Sequence, residues 1–509
     1  MATISRTFFS HARRQPEKPA LHCEDRTLTY GELSAQVGRW SAAMRGQGVS
    51  RGSHVGVLLP NGSEFVILML AAADLGAVLV PLNTSLPVTA VQRAFQASDV
   101  RHVVAKVALM AALRSAGSHV FSTVKGLWLA VDGSCSGVLS LDALLAATPH
   151  DAEPLFAGED DDAFILTMTS GSTGDPKPIV LTQRNKLSRV REAVGLYGIV
   201  EHDRILAATP LYHSLAERLV LMPLLTGGTS ILMARYSATE WLRCVQEQAV
   251  TFTIAVSSQL AQIASHLEDA SQAGIASLRC VVSSSALLEA SVKADLLAKL
   301  HCDFHECYGT SEIAIATDLD AAAADRKLNS VGFPAPGVEI RILQESDQVA
   351  QTGEVGEIVC KTPMLFAGYY RRPEQTRAAM WGEYFRTGDI GKLDDDGFLY
   401  YLGRKKEIII TGGINVYPAD VEAVVTGHDA VLEAAAFPVV DAQLGEVVAV
   451  AIVPREPAGF DLRSLRFHCA EHLADYQLPR RFFIMQALPR NSLGKIMRHV
   501  LMMQFNPPG

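Results

Sequence analysis

The sequence predicts an α/β protein: a large N-terminal domain of stacked, largely parallel βα layers plus a β-rich subdomain, followed by a small α+β C-terminal domain. Its 509 residues exceed what one hydrophobic core usually organises, so at least two cores are expected. Hydrophobic residues make up 49% of the chain and charged residues 19%, which is typical of a globular enzyme. Short Val/Ile-rich runs alternate with longer Ala/Leu-rich stretches of helical period, and this alternation predicts largely parallel sheets.

Five short apolar runs are the strand candidates of the N-terminal domain. They are His54–Leu59, Val78–Pro81, Phe164–Met168, Thr251–Val256 and Leu278–Val282. The most apolar stretch, Phe65–Leu82, is interrupted by Asp74, Gly76 and Pro81. We expect a buried helix running into a buried strand there, because a membrane span needs about 20 predominantly apolar residues. No membrane span is predicted.

The pattern changes at about Val338, where hairpin-like segments replace the βα alternation. Glu357–Lys361 has the composition of a strand, and Asp396-Gly397 between polar and aromatic runs is a strong signal of a two-residue turn. These features predict the β-rich subdomain.

The boundary between the two domains is predicted near Lys406. A charged cluster there runs into paired glycines, and a βαβ-like tail follows through Ala434–Pro438 and Val447–Val453. We therefore assign residues 1–403 to the N-terminal domain, 404–409 to a hinge and 410–509 to the C-terminal domain.

The charge balance and the cysteines exclude several classes of function. With 45 basic and 54 acidic residues the net charge is -9, which disfavours binding to nucleic acid or to anionic lipid. The eight cysteines show neither a CxxC pair nor the spacing of a disulfide framework, so reduced thiols are expected. The first residues lack the apolar run of a signal peptide, and we expect a cytoplasmic protein that acts on small molecules.

The most specific motif is TSGSTGDPK, which follows the strand candidate Phe164–Met168 directly. Its glycines let the backbone turn tightly and point N–H groups at a polyphosphate, while hydroxyls and a lysine add further ligands. These residues are Thr169, Ser170, Gly171, Ser172, Thr173, Gly174 and Lys177. The motif is not the GxxxxGK[ST] loop, because its lysine follows Asp175-Pro176. A lone GxxG would more often be an ordinary turn, but a string of nine residues predicts a phosphate site.

Nine further motifs fall along the rest of the chain in a fixed order. They are LTYGEL (Leu28–Leu33), GAVLVPLN (Gly76–Asn83), PLYH (Pro210–His213), YGTSE (Tyr308–Glu312), VGFPAPG (Val331–Gly337), RTGDI (Arg386–Ile390), GRKKE (Gly403–Glu407), GGINVYPADVE (Gly412–Glu422) and PRNSLGKIMR (Pro489–Arg498). Together with the phosphate loop they resemble the adenylate-forming superfamily, which includes acyl-CoA synthetases, aryl-CoA ligases, adenylation domains and luciferases. The resemblance covers essentially the whole chain and is strongest to an acyl-CoA synthetase.

The resemblance implies an ATP-dependent acid–thiol ligase. Such an enzyme converts a carboxylic acid into an acyl-AMP with release of pyrophosphate, and then transfers the acyl group to coenzyme A. ATP, Mg²⁺ and coenzyme A are the implied cofactors. An acyl carrier protein, with its phosphopantetheine thiol, is the alternative acceptor, and a luciferase-like oxygenase or a non-catalytic nucleotide-binding protein are further alternatives. The particular acid and the oligomeric state stay open.

The resemblance also implies roles for individual residues of the nucleotide site. Lys495, at the end of SLGK, would bridge the carboxylate and the α-phosphate, because two anions must be neutralised as they approach. Glu312 and Thr173 would hold the metal, and Thr169 would act in catalysis beside them. The remaining nucleotide-binding residues are Tyr308, Gly309, Thr310, Ser311, Asp389 for the ribose, and Arg404. In the family the C-terminal domain is mobile and turns about a hinge residue, here Lys406, to bring the loop of Gly412 and Gly413 to the pantetheine tunnel.

The acyl pocket is predicted beside His213, which matches the position that separates this pocket from the thiol channel. Its other residues are Ser284, Ser285, Ala286 and Cys307, in stretches where the family commonly has glycines. Their added side chains should shorten the tunnel, which favours a compact acid over a long fatty acid. Amino-acid-activating relatives carry an Asp after the His, whereas Tyr212–Leu219 contains only Glu217, so an acid without an α-amine is expected.

Two departures from the family pattern lie just beyond the phosphate loop. Pro178 replaces the usual Gly after the loop lysine, and Gln183 stands where a His is usual. We expect these residues to alter the exit of the loop without removing a phosphate ligand.

Overall fold

The structure, a computed structural model, describes residues 3–115, 124–170, 176–267, 275–441, 443–491 and 494–506. Two large sheets, one smaller sheet and one C-terminal sheet carry the fold. The helices are α1 Ile4–Arg14, α2 Tyr30–Gly46, α3 Ser63–Leu75, α4 Val88–Ala97, α5 Val107–Ser115, α6 Leu141–Ala146, α7 Gln183–Tyr197, α8 Ser214–Thr226, α9 Ala238–Glu247, α10 Ser257–His266, α11 Ala290–Lys299, α12 Ala321–Ala324, α13 Pro373–Ala378, α14 Pro418–Thr426, α15 Leu462–His472 and α16 Arg498–Phe505.

The first large sheet has nine strands in the order β16-β15-β14-β13-β12-β10-β11-β1-β2. They are β1 Pro19–Cys23, β2 Arg26–Thr29, β10 Arg204–Ala207, β11 Thr229–Leu232, β12 Phe252–Val256, β13 Cys280–Ser284, β14 Asp303–Tyr308, β15 Thr317–Asp320 and β16 Phe333–Pro334. The five pairs from β1 through β11, β10, β12 and β13 to β14 are parallel, and the outer strands are antiparallel. The predicted strands Thr251–Val256 and Leu278–Val282 are confirmed as β12 and β13.

The second large sheet has eight strands in the order β19-β9-β8-β4-β3-β5-β6-β7. They are β3 His54–Leu58, β4 Val78–Pro81, β5 His102–Ala105, β6 Trp128–Ala130, β7 Leu139–Ser140, β8 Ala163–Ser170, β9 Pro176–Thr182 and β19 Gly368–Tyr369. The five pairs from β8 through β4, β3, β5 and β6 to β7 are parallel, and the β8–β9 and β9–β19 pairs are antiparallel. The three strands predicted for this region are confirmed as β3, β4 and β8.

Helix α3 packs against α1 and α2 in the main hydrophobic core. Every residue from Phe65 to Leu75 is buried, because the helix is apolar on all of its faces. Buried Asp74 is satisfied within the protein, since its carboxylate accepts hydrogen bonds from Ser5 Oγ and from two backbone N–H groups. The prediction of a buried helix that runs into a buried strand is confirmed, and no helix of the described ranges could cross a membrane.

The β-rich subdomain is an antiparallel sheet of five strands. They are β17 Glu339–Leu343, β18 Gly356–Lys361, β20 Met380–Trp381, β21 Tyr384–Leu393 and β22 Leu399–Arg404. The predicted turn Asp396-Gly397 lies in the β21–β22 hairpin, where Gly397 has a φ of 82° that favours glycine.

The C-terminal sheet also has five strands: β23 Ile409–Thr411, β24 Ile414–Val416, β25 Val431–Asp441, β26 Gly445–Pro454 and β27 Arg481–Ile484. The prediction of a βαβ unit through β25 and β26 is wrong, because these strands pair antiparallel. Only three residues separate them, which is too short for a parallel crossover. The parallel crossover follows instead, from β26 through α15 to β27. Residues 409–505 contribute two hydrophobic clusters of their own, and the hinge at 404–409 stays a prediction.

Candidate active site

The candidate site lies where the parallel strands β10, β12, β13 and β14 end. Loops at the carboxyl ends of parallel strands form the ligand crevice of open α/β sheets. Tyr308–Glu312 begins at the end of β14, Ser284–Ala286 at the end of β13, and His213 follows β10. The topology therefore collects the predicted motifs at one edge of the first sheet.

Asp389, on β21, contacts two polar side chains of other strands and forms a buried polar triangle with them. Its Oδ2 accepts a 2.7 Å hydrogen bond from the Tyr308 hydroxyl, and its Oδ1 lies 2.8 Å from Arg404 Nε. Burial raises the pKa of Asp389, while Arg404 and the Tyr308 hydroxyl oppose the increase. The Arg404 N–H does not point along a hydrogen bond, so Oδ1 has no donor among the described residues. That oxygen can accept from a ligand hydroxyl.

Tyr369, on β19, joins two predicted phosphate-site residues. Its hydroxyl donates a 3.0 Å hydrogen bond to Glu312 Oε1, and its ring lies 3.3 Å from Lys177 Nζ. Burial lowers the pKa of Lys177, whereas the negative charge of Glu312 opposes that decrease. Tyr369 therefore positions a carboxylate and an ammonium side by side.

The loop after β14 folds back on itself, so that backbone atoms at its two ends lie in close contact. A Cβ on Gly309 would lie 1.8 Å from the Ala314 carbonyl oxygen, so only glycine fits. Arg189 on α7 donates from Nη2 to the carbonyl oxygens of Ser311 (3.0 Å) and Glu312 (2.8 Å) and fixes the loop from behind. Thr310 Oγ1 is buried without a hydrogen-bond partner among the described residues. This is the arrangement expected of a group that forms its hydrogen bond with a ligand.

Lys495 comes to this crevice from the C-terminal sheet. Burial lowers its pKa, and the charges of Arg404 and Asp389 act on it, which places the ammonium beside the Asp389 triangle. Gly494, with a φ of 72°, lies against the start of α10, where a Cβ would be 1.8 Å from Ser258 Oγ. A glycine is needed here both for the left-handed backbone and for the close approach.

Two of the predicted functional positions lie away from this cluster. Lys406 is exposed in the short 3₁₀ turn Lys405–Glu407. Gly412 and Gly413 form the exposed turn between β23 and β24, with φ values of 56° and 82°. The structure therefore brings Lys495 to the nucleotide residues and leaves the double-glycine turn at the surface.

The phosphate loop is described only in part. Thr169 and Ser170 are the last residues of β8, and Thr169 pairs in register with Lys177 on β9. Gly171, Ser172, Thr173 and Gly174 lie outside the described residues, so their predicted roles stay predictions.

The predicted acyl-pocket residues cluster near the start of α8. His213 precedes this helix, and burial lowers the pKa of its imidazole to about 4, which keeps the ring neutral at pH 7. Cys307 is buried, and its thiol contacts Ser284 at the end of β13. Ser285 has a φ of 78°, and the Ala286 carbonyl accepts from Ser257 Oγ.

The structure describes both residues that depart from the family pattern beyond the phosphate loop, Pro178 and Gln183. Gln183 is buried and ties α7 to α1 and α3, because its Oε1 accepts from Ile4 N–H and its Nε2 donates to the Ala73 carbonyl. The two side-chain hydrogen bonds of Gln183 go to the N-terminal helices. The expectation that Gln183 alters the exit of the phosphate loop stays a prediction, because residues 171–175 lie outside the described ranges. Pro178 pairs with Met168 inside the β8–β9 ladder.

Glu217 has a structural partner through one of its carboxylate oxygens, while its Oε1 has no hydrogen-bond partner among the described residues. It is fully buried on α8 and forms an ion pair with buried Lys186 of α7. The only acidic residue of Tyr212–Leu219 therefore has a structural partner, in agreement with an acid that lacks an α-amine.

Sequence reasoning missed three residues of the site. Tyr369 and Arg189 were overlooked because neither stands in the quoted motifs, and both reach the site from distant segments. Arg218 was passed over although it directly follows Glu217. A basic residue in an otherwise apolar helical run was the available signal.

The crevice suits a magnesium nucleotide. Mg²⁺ usually takes one or two carboxylates together with substrate phosphates, and Glu312 offers the carboxylate beside Lys177. No group of three acidic, His or Cys side chains gathers within the part of the chain that is described, so a metal held by protein alone has no site there. Asp389 Oδ1 and Thr310 Oγ1 supply the unsatisfied oxygens that a ribose and a phosphate can bind.

Fold and site together define a carboxylate-activating enzyme with a nucleotide crevice and a lysine delivered from a second sheet. The chain belongs to the AMP-binding enzyme family, whose model matches residues 8–370, and the model of the AMP-binding enzyme C-terminal domain matches residues 420–495. It is 33% identical to a sulfoacetate–CoA ligase of Cupriavidus necator, over 97% of this chain and 96% of the relative. It is 31% identical to a long-chain-fatty-acid–CoA ligase of Mycobacterium tuberculosis, over 95% of this chain and 94% of the relative.

A solved structure shows the same architecture with an intermediate bound. The o-succinylbenzoate CoA synthetase of Bacillus subtilis, in complex with its acyl-adenylate, superposes with a TM-score of 0.84 at 29% identity. The match covers 97% of each chain. The α/β fold of the N-terminal part and the presence of a C-terminal domain agree with the prediction from the sequence.

Proposed function

We propose that this protein is an AMP-forming acid–thiol ligase that activates a small carboxylic acid with ATP and transfers the acyl group to coenzyme A. The observation that carries the proposal is the position of Lys495. Lys495, in the loop between β27 and α16, is half-buried, and the charges of Arg404 and Asp389 of the β-rich subdomain act on its ammonium. A cation brought from another part of the chain into a nucleotide crevice is suited to a reaction between two anions.

The first half-reaction needs charge neutralisation and alignment. Asp389 Oδ1 would accept from a ribose hydroxyl, and Lys177 would bind the triphosphate. Mg²⁺, held by Glu312 and the phosphates, would supply further neutralisation of the triphosphate. Lys495 would then hold the attacking carboxylate against the α-phosphate. His213, neutral at pH 7, adds no charge of its own beside the reacting carboxylate.

The second half-reaction would require the C-terminal sheet to turn. Lys495 would occupy the side of the crevice from which a thiol has to approach, and the turn of Gly412 and Gly413 is exposed. Lys406 is exposed and free of ion pairs in the described structure. Rotation near it would move Lys495 out of the crevice and bring the turn of Gly412 and Gly413 into its place. The division at residues 404–409 belongs to this proposal.

The names of the relatives span sulfoacetate, long-chain fatty acids and o-succinylbenzoate, so the family alone does not choose the acid. We favour a compact acid, because Cys307 and Ser284 contact each other where smaller residues would leave a deeper pocket. Two of the named acids, sulfoacetate and o-succinylbenzoate, carry a second anionic group. A cytoplasmic location remains a prediction.

The test is pyrophosphate release from ATP over a panel of carboxylic acids, with and without coenzyme A. We expect release with a subset of compact acids and formation of the acyl-CoA when coenzyme A is present. Thioester formation only with a holo carrier protein would instead favour the carrier-loading alternative. If no acid produced AMP and pyrophosphate, the chain would be a nucleotide-binding protein without this activity.

A further inference from the structure

Arg218 is a buried cation for which the described residues show no hydrogen bond or ion pair. It lies on α8, five residues beyond His213, and its relative exposure is 7%. Its Nε–H is buried and donates to no acceptor among the described residues. Guanidinium groups keep their proton in proteins, so the positive charge cannot be removed by burial.

The acidic groups near Arg218 each have another partner for one carboxylate oxygen, while Glu217 Oε1 and Asp318 Oδ1 have no hydrogen-bond partner among the described residues. Glu217 is paired with Lys186, and Asp318 accepts a 2.7 Å contact from His305 Nδ1. Arg189, which also faces this region, already donates to backbone carbonyls of the Tyr308–Glu312 loop. We call Lys186, Arg189, Glu217 and Arg218 the α7–α8 charge cluster; it has three cations and one anion.

Arg218 lies close to Cys307, one of the predicted acyl-pocket residues. Burial raises the pKa of the Cys307 thiol, and the charge of Arg218 opposes that increase, so the two side chains are close. The same charge acts on the buried Tyr197 hydroxyl at the end of α7. His213, another predicted acyl-pocket residue, precedes Arg218 by five residues, which corresponds to about 7 Å along a helix axis.

An unpaired charge in a buried pocket is costly unless a ligand completes it. Arg is suited to this task because its planar fork binds a carboxylate or a sulfonate through two parallel hydrogen bonds. We propose that Arg218 binds a second anionic group at the far end of the substrate, so that the preferred acid is a compact dianion with a carboxylate to activate and a carboxylate or sulfonate to anchor. This inference rests on the proposed function and narrows its substrate class.

The experiment compares acids that differ only in the distal charge. Pyrophosphate release is measured for straight-chain diacids from succinate to adipate, for the monoamide of each, and for sulfonate analogues of the same length. We expect kcat/KM for the best dianion to exceed that of its monoamide by on the order of a hundredfold or more, since a site built for a polar group rejects the analogue that lacks it. The sulfonate series shows which anion is preferred.

The matched variants are Arg218→Met, Arg218→Lys and, as a control, Arg191→Met at an exposed position of α7. Arg218→Met should abolish the preference for the dianion and leave the monoamides as good as before or better. Arg218→Lys should restore part of the preference, and Arg191→Met should change nothing. Equal loss for dianions and monoamides in Arg218→Met would overturn the proposal.

A binding measurement separates this inference from the proposed function. Without ATP, the preferred dianion should raise the melting temperature of the wild-type protein but not that of Arg218→Met. The unliganded Arg218→Met variant should be at least as stable as the wild type, because it loses a buried unpaired charge. A strongly destabilised variant would reveal a structural role for Arg218 and would refute the inference. Pyrophosphate release with monoanionic acids only would refute it as well, while leaving the ligase function intact.

Discussion

The nucleotide side and the acyl side of the crevice differ in how completely their charged side chains are paired with other groups of the protein. On the nucleotide side, Asp389, Tyr308 and Arg404 form a triangle of contacts before any ligand binds. On the acyl side, Lys186 and Glu217 are paired, but the buried Nε–H of Arg218 has no acceptor within the described part of the chain. A site for a ligand common to a whole family can be preformed from its own residues. A pocket that selects one acid can instead keep an unsatisfied group that only the right substrate completes.

Breaking the buried pair of the α7–α8 charge cluster should have the largest effect. Lys186→Met leaves Glu217 buried with no counter-ion, and we expect a loss of about 3–5 kcal/mol in the free energy of unfolding. Urea denaturation measures it. Arg243→Met, which breaks exposed ion pairs on α9, should cost less than about 1 kcal/mol. Similar losses in both variants would mean that the buried pair is no more important than a surface one.

The nucleotide side depends on the lysine from the C-terminal sheet. Lys495→Ala should lower the rate of adenylation by about 10²–10³-fold, because a preorganised cation is removed from the point where charge develops. The same variant should still convert a supplied acyl-adenylate into the thioester. Pyrophosphate release and single-turnover thioester formation check the two halves separately, and equal loss of both would contradict the assignment of Lys495 to adenylation.

His213 tests the acyl side of the crevice through the pH dependence of the free energy of unfolding. Burial lowers its pKa from 6.5 to about 4, so the unfolded chain takes up the proton first as the pH falls. The contribution of His213 to stability is therefore complete above pH 6.5 and is lost progressively between pH 6.5 and about 4, by at most about 3 kcal/mol. Unfolding of the wild type and of His213→Phe across this range measures the difference. Parallel curves for the two proteins would show that the imidazole does not titrate in this way.

The smallest effect is expected at the ribose end of the nucleotide side. Asp389→Asn weakens the pairing with Arg404 and removes a charged acceptor, and we expect the KM for ATP to rise about tenfold with a smaller change in kcat. Asp396→Asn, in the exposed turn of the β21–β22 hairpin, is the matched control. An unchanged KM in Asp389→Asn would remove Asp389 from the nucleotide site.

Much of the fold was predictable because its signals are local. The runs at β3, β4, β8, β12 and β13 are short, β-branched and bounded by polar residues, and the structure places strands at each of them within one or two residues. The Asp396-Gly397 turn was predictable for the same reason, since a left-handed φ at Gly397 is a property of the turn itself. The C-terminal tail was predicted wrongly, because apolar runs do not state whether neighbouring strands run parallel.

By itself the sequence determined the family and predicted a set of nucleotide-site residues, because both depend on short motifs with their own chemistry. Only the tertiary structure decided which charges are satisfied. Tyr369 and Arg189 reach the Glu312 loop from segments that no motif connects to it, and Gln183 turns out to tie helices together. Whether Glu217 or Arg218 can bind a substrate depends on which of the two side chains is paired within the protein. The packing of α7 against α8 decides this pairing.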